Sequence, residues 1–194
     1  GGGHLAKMLD KAGYRVVAIA DSQSTVYHSD GLNVAEIDEH KRTTGDLKTC
    51  IGCEKLPREA VLTVPADILV PAALENAIHE KNVHQVQAKL IIEIANGPIT
   101  PIADTVLFDK GVVVIPDILA NAGGVTVSYF EQVQNAMYDV WTEEVVKTKL
   151  QEKMETAFDT VWQMKEHYNT SVRMGAYVLA VKRVVQAMQD RGRV

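Results

Sequence analysis

Four short runs of β-branched and aliphatic residues alternate with helical stretches, and this alternation limits the fold more than any other feature of the chain. The runs are YRVVAIA (14–20), ADILVPA (66–72), KLIIEIA (89–95) and GVVVIPD (111–117). Runs this apolar suit strands buried on both faces. Between them lie segments with helical periodicity. In HLAKMLDKAG, Leu5, Met8 and Leu9 share one face and Gly13 closes the helix. VAEIDEHKRTTG predicts a helix from about Val34, with Val34, Ile37 and Lys41 on one side and Gly45 at its end. TPIADTVLFDKG predicts a third, with Thr100 as N-cap and Pro101 in the first position. Strands alternating with helices imply an α/β fold: a doubly wound, mostly parallel sheet of Rossmann-like type with helices on both faces.

The remaining stretches are less regular. SQSTVYHSDGLN (22–33) is poor in apolar residues, carries the turn signal Asp30-Gly31 and predicts a hairpin or loop. Residues 46–65 look irregular, with a helical turn at Pro57–Leu62, and ENAIHEKNVHQV (75–86) reads as partly helical. From Thr126 onward no strand is visible. Val145, Val146, Leu150, Met154, Phe158, Val161 and Trp162 recur at helical spacing, and so do Met174, Tyr177, Val178, Val181, Val184, Val185 and Met188. The expected organisation is residues 1–140 as the sheet-bearing domain and 141–194 as C-terminal helices that pack on it.

The order of the first 22 residues, GGGHLAKMLDKAGYRVVAIADS, is glycines, helix, strand, acid. That order matches a dinucleotide-binding βαβ unit whose first strand is missing. Asp21, at the end of its strand, can accept hydrogen bonds from an adenosine ribose, or simply start the following turn. Ligands of open α/β sheets bind outside the carboxyl ends of the strands. Three further strands end in Pro71-Ala72-Ala73, Ala95-Asn96-Gly97 and Pro116-Asp117, small residues that let a flat cofactor approach the backbone. Asn96 and Asn121 add side-chain amides able to bond ribose hydroxyls or a carboxamide. Ordinary turn chemistry would use the same residue types.

Composition narrows the partners. With a net charge of −5 and no basic stripe, the chain is not expected to bind nucleic acid or an anionic membrane surface. Its apolar runs are far shorter than a membrane span, no signal peptide is evident, and two cysteines suit a reducing compartment, so a cytoplasmic location is expected. Cys50 and Cys53 form C-x-x-C, but no second pair supplies the other ligands of a structural zinc. A redox dithiol is the other reading, but the flanks of C-x-x-C are not a strand leading into a helix, so no metal site is expected and two buried or idle thiols are.

DILVPAALENAI, IEIANGPITPIAD and VVVIPDILANAGGVTVSYFEQVQN resemble consecutive signature stretches of the glutamate dehydrogenase family, in its carboxyl-terminal nicotinamide-binding domain. VRMGAYVLAVKRVVQAMQDRG resembles the family's closing helix, so the resemblance runs over nearly the whole chain. It implies reversible NAD(P)-dependent oxidative deamination of glutamate to 2-oxoglutarate and ammonia. It places Gly2 at the third glycine of the phosphate-binding loop, and Asp21 and Ser22 at the adenosine ribose. Ala72 and Ala73 match the loop beside the cofactor. Ala95 and Asn96 match the nicotinamide ribose loop, and Asn121 the amide near the nicotinamide ring. Val125 and Ser128 match the substrate pocket wall, with the serine holding the glutamate side-chain carboxylate. Ile94 departs from the pattern, where the family usually has glycine. Relatives acting on leucine, phenylalanine or valine lack the Asn-Gly-Pro turn and carry an apolar residue in place of the serine. Ser128 and Asn96-Gly97-Pro98 therefore imply an acidic amino acid, since a buried hydroxyl serves a carboxylate and not an aliphatic side chain.

An acid at Asp21 favours NAD by repelling a 2′-phosphate, although the family accepts an acid there with either cofactor, and Lys41 and Arg42 are close enough in sequence to keep NADP open. The family's catalytic lysine and aspartate lie in an amino-terminal substrate domain, and no lysine here sits in a matching motif. The expectation is a cofactor domain that starts inside the phosphate-binding loop, is inactive by itself, and belongs to a parent homohexamer. The alternative is a stand-alone nucleotide-binding or regulatory module. Ser128, which serves substrate and not cofactor, favours the first.

Overall fold

The computed structural model describes residues 1–47 and 52–193, which form two compact units, Gly1–Val112 and Val113–Val194. The architecture is α/β. Cys50 lies outside the described residues.

The first unit contains α1 (Gly2–Lys11), β1 (Ala18–Ala20), β2 (Ser24–Tyr27), α2 (Val34–Thr44), β3 (Glu54–Pro57), β4 (Ile68–Leu69), β5 (Leu90–Ile92) and α3 (Pro101–Asp109), with 3-10 turns at Arg58–Leu62 and Val83–Gln85. The helix boundaries have local causes. The Asn33 side chain accepts the Glu36 N–H at 3.2 Å to start α2, and Gly45 ends it in the left-handed conformation at φ +86°. Thr100 caps α3 by accepting the Ala103 N–H at 3.3 Å, with Pro101 behind it. Lys7 joins α1 to α2 through Asp38 at 3.0 Å.

The strands do not all run as a mostly parallel sheet. β4 and β5 pair in parallel, Ile68 opposite Leu90, and Ile78 bridges Ile99 in parallel beyond them. β1 instead pairs antiparallel with β2, Ile19 opposite Val26, and β2 antiparallel with β3, Val26 opposite Lys55. The cause lies in the connection between β1 and β2. The Asp21 carboxylate accepts the N–H groups of Gln23 and Ser24, at 2.8 and 3.0 Å, and closes a tight turn. A turn this short can only reverse the chain; a parallel return needs a crossover of a dozen residues or more. Below this ribbon Val26, Leu32, Ile37 and Leu47 form a buried cluster, with Ile19 and Cys53 against it.

The second unit holds β6 (Val113–Ile115), α4 (Asp117–Ala120), α5 (Ala122–Met137), α6 (Glu143–Tyr168) and α7 (Val172–Asp190). Thr142 and Ser171 cap α6 and α7, accepting from Val145 N–H at 3.4 Å and Met174 N–H at 3.1 Å. Leu119, Val161, Val172 and Ala176 make the core, with Val113, Ile115, Ala157, Trp162 and Leu179 packed around them. Gly175 lets α7 come close to α6: a Cβ there would lie 2.9 Å from the Lys165 nitrogen and 3.0 Å from the Val161 carbonyl oxygen. Arg173, in the first turn of α7, pairs with Asp117 of α4 at 3.5 Å. Among the described residues no helix is long and apolar enough to cross a membrane.

Candidate functional site

In the first unit, the loops that leave β4 and β5 are fastened to each other. The Pro71 carbonyl accepts from the N–H groups of Ile94 and Ala95, at 3.0 and 2.9 Å. Further on, Asn76 N–H donates to the Gly97 carbonyl at 2.8 Å, and Ile78 N–H to the Pro98 carbonyl at 2.9 Å. Gly97, at φ +53°, turns the chain at Asn96-Gly97-Pro98. Ala72 and Ala95 are half-buried at the mouth of these loops, while Ala73 and Asn96 are exposed.

The start of α1 sits against the same loops. A Cβ placed on Gly2 would lie 3.4 Å from the Ala72 Cβ, and one on Gly1 would lie 3.8 Å from Ile94 Cγ2. No side chain caps α1, and its first turn carries no acid. Its leading N–H groups therefore keep the partial positive charge of a helix amino terminus. N–H groups at a helix start beside two loops of small residues are donors that suit an anion such as a pyrophosphate. Gly2, Ala72, Ala73, Ala95 and Asn96 are the residues of the helix start and these two loops that could hold a dinucleotide. Ile94, the departure from the glycine usual in the motif, fills space beside Gly1 without displacing the Pro71 bond.

Asp21 follows β1, and Ser22 beside it is exposed. Besides the two N–H groups of its own turn, the Asp21 carboxylate accepts from Lys41 Nζ at 3.0 Å and from Leu47 N–H at 3.1 Å. Only 7% of the side chain is exposed. Burial pushes the carboxyl up, but the Gln23, Ser24 and Leu47 N–H groups and the Lys41 ammonium outweigh it and hold the carboxyl down at about 2. The turn itself was readable from Asp21-Ser22-Gln23-Ser24. Lys41 and Leu47 were not, because they reach Asp21 from 20 and 26 positions away.

The second unit carries the other three residues. Asn121 stands at the junction of α4 and α5. Val125 and Ser128 lie three apart on α5 and so share a face. Both are exposed, and the Ser128 hydroxyl donates back to the Gly124 carbonyl at 3.2 Å. Among the described residues no group of three or more His, Cys, Asp or Glu side chains could hold a metal ion.

Residues 2–192 match the family model described as Glutamate/Leucine/Phenylalanine/Valine dehydrogenase. The chain belongs to this dehydrogenase family. A NADP-specific glutamate dehydrogenase A1 of Halobacterium salinarum is 48% identical over 189 residues, which cover 96% of this chain and 45% of that protein. A NAD-specific glutamate dehydrogenase of Staphylococcus aureus is 39% identical over 191 residues, covering 98% of this chain and 46% of that protein. The crystal structure of a hetero-hexameric glutamate dehydrogenase from Thermus thermophilus, in its Leu bound form, superposes with a TM-score of 0.90 at 35% identity. That match covers 98% of this chain and 45% of the other. This family member thus spans about half the length of the relatives it matches.

Proposed function

We propose that this chain is the nicotinamide-cofactor-binding part of a glutamate dehydrogenase, with a Rossmann-like arrangement at the cofactor. The carrying observation is the meeting of the α1 amino terminus with the loops after β4 and β5. Both relatives' names support NAD or NADP as the cofactor. When bound, the cofactor supplies the hydride acceptor for oxidative deamination of L-glutamate to 2-oxoglutarate and ammonia.

The chain's own residues divide the work. Gly2 and the N–H groups behind it receive the pyrophosphate. Asp21 and Ser22 form the adenosine end, and Ala72 and Ala73 lie beside the cofactor. Ala95 and Asn96 take the nicotinamide ribose, and the Asn121 amide the carboxamide end. Ser128 donates to the distal carboxylate of glutamate, with Val125 beside it. Residues 1–140 make up the cofactor domain and 141–194 its closing helices. The lysine and aspartate for proton transfer match no motif in these 194 residues, which by themselves bind and do not turn over. The complete enzyme works in the cytoplasm as a hexamer.

A chimaera tests this reading. Residues 2–192 replace the matched segment of the Halobacterium relative, and reduction of NAD and NADP is followed with glutamate and with leucine. Glutamate-dependent reduction is expected, together with a raised KM for glutamate or a lowered kcat in Ser128→Ala. A chimaera that oxidises leucine in preference to glutamate, or that is indifferent to Ser128→Ala, would refute it. Isolated residues 1–194 are expected to show no reduction above a heat-killed control.

A further inference from the structure

We infer that Asp21 is a positioning residue and not the acceptor of the adenosine ribose, and that its ion pair with Lys41 lets this strand end admit a 2′-phosphate as readily as a free 2′-hydroxyl. The inference rests on the dinucleotide reading above and changes what the acid does within it.

A carboxylate offers about four lone-pair sites. At Asp21 four donors occupy them: the N–H groups of Gln23, Ser24 and Leu47, and the ammonium of Lys41, all within 3.1 Å. A ribose hydroxyl could bond this carboxylate only by displacing one of them, and would leave that donor unpaired. The donors come from three places: the β1–β2 turn, the last part of α2, and the segment past Gly45. The carboxylate therefore clamps the turn to the end of α2 and fixes the backbone on which exposed Ser22 stands.

The pairing also changes the charge that a cofactor meets. The carboxylate is 7% exposed while the Lys41 side chain is 45% exposed, so the cation is the accessible member of the pair. The opposite charges sit 3.0 Å apart. From several ångströms away they act as a dipole and not as a net negative charge. Lys41 has three ammonium protons. It points one at Asp21 and another at the Gly45 carbonyl, 3.4 Å away, which leaves one for a phosphate oxygen.

NAD and NADP are titrated separately into the protein and its Lys41→Gln variant, and amide hydrogen exchange is followed in Asp21→Asn. The wild type is expected to bind both dinucleotides with affinities within about threefold, a difference under 1 kcal/mol. Lys41→Gln leaves Asp21 its three N–H donors. It should weaken NADP about tenfold or more and leave NAD nearly unchanged, the effect of losing one charge-assisted hydrogen bond. In Asp21→Asn the amide NH₂ replaces one of the two oxygens, so exchange should accelerate with no dinucleotide present at the Leu47 amide or at the Gln23 and Ser24 amides. An unchanged NADP-to-NAD ratio in Lys41→Gln overturns the proposal. So does Asp21→Asn if it weakens NAD while all three amides stay protected, because the carboxylate would then be the ribose acceptor. If Asp21→Asn does not fold, the exposed Lys41→Gln variant still decides. Failure of the wild type to bind either dinucleotide removes the dinucleotide reading and this proposal together, whereas binding with an insensitive ratio removes the proposal alone.

Discussion

Replacing Gly175 with alanine sets two effects of opposite sign against each other. Helix propensity favours the change: alanine in a helix interior is better than glycine by about 1 kcal/mol. Packing opposes it. The new Cβ would lie 2.9 Å from the Lys165 nitrogen and 3.2 Å from the Lys165 Cα, both backbone atoms of α6 that no rotamer change can move. Ordinary contact needs 3.4 Å, so α6 and α7 must part by about 0.5 Å. A gap of that size forfeits roughly a quarter of the dispersion well for each contact it opens. The contacts at risk are those of Val161 on α6 with Val172 and Ala176 on α7, all in the core of the second unit. Overpacking of this kind costs about 1–3 kcal/mol. Packing should win, with a net loss centred on about 1 kcal/mol and a Tm lower by roughly 2–4 °C for a chain of this size. Thermal and urea melts followed by circular dichroism read it directly. A Tm equal to or above the parent's would mean that propensity outweighs packing and that the close approach at Gly175 does not hold the two helices.

Acid should weaken the first unit through Asp21. Its carboxyl is held at about 2 against an ordinary 3.8, so its contribution is fully present above pH 4 and is lost as pH falls from 4 to 2. The shift amounts to about 2 kcal/mol, and urea midpoints measured across that range should fall more steeply for the parent than for Asp21→Asn. Thr100→Ala removes the α3 cap and the bond from its hydroxyl to Glu80, and should cost about 1 kcal/mol in urea unfolding. Ser128→Ala should leave stability within about 0.5 kcal/mol, since this exposed hydroxyl bonds only its own helix carbonyl, and the same melts check it.

The parts of the fold that were legible carry strong local chemistry. Thr100-Pro101 and Gly45 mark helix ends whatever surrounds them, and the apolar rows on α6 and α7 declare themselves over several turns. The helical turn at 57–62 was also readable. β3 was not: Glu54–Pro57 is polar and mostly exposed, and owes its strand geometry to hydrogen bonds from β2. The antiparallel pairing of β1 was half-legible: Asp21 can be read as starting a turn, but YRVVAIA has the composition of a parallel core strand, and nothing within it shows that the turn sends the chain straight back. The strands are also shorter than their apolar runs, since apolarity reports burial and not the reach of the hydrogen-bond ladder. At the site, the glycines and small loops were visible in sequence, and their meeting at Gly2 and Ala72 is a tertiary contact. The Lys41 and Leu47 bonds to Asp21 had no local signature at all.

The most direct test of a dinucleotide site at the start of α1 is titration of the isotopically labelled 194-residue chain with NAD, following its backbone amide resonances. The expected result is saturable shifts at Gly2, Gly3, Ala72, Ala73, Ala95 and Asn96, with no comparable change along α6. Resonances at those six positions that stay unmoved at millimolar NAD would contradict it.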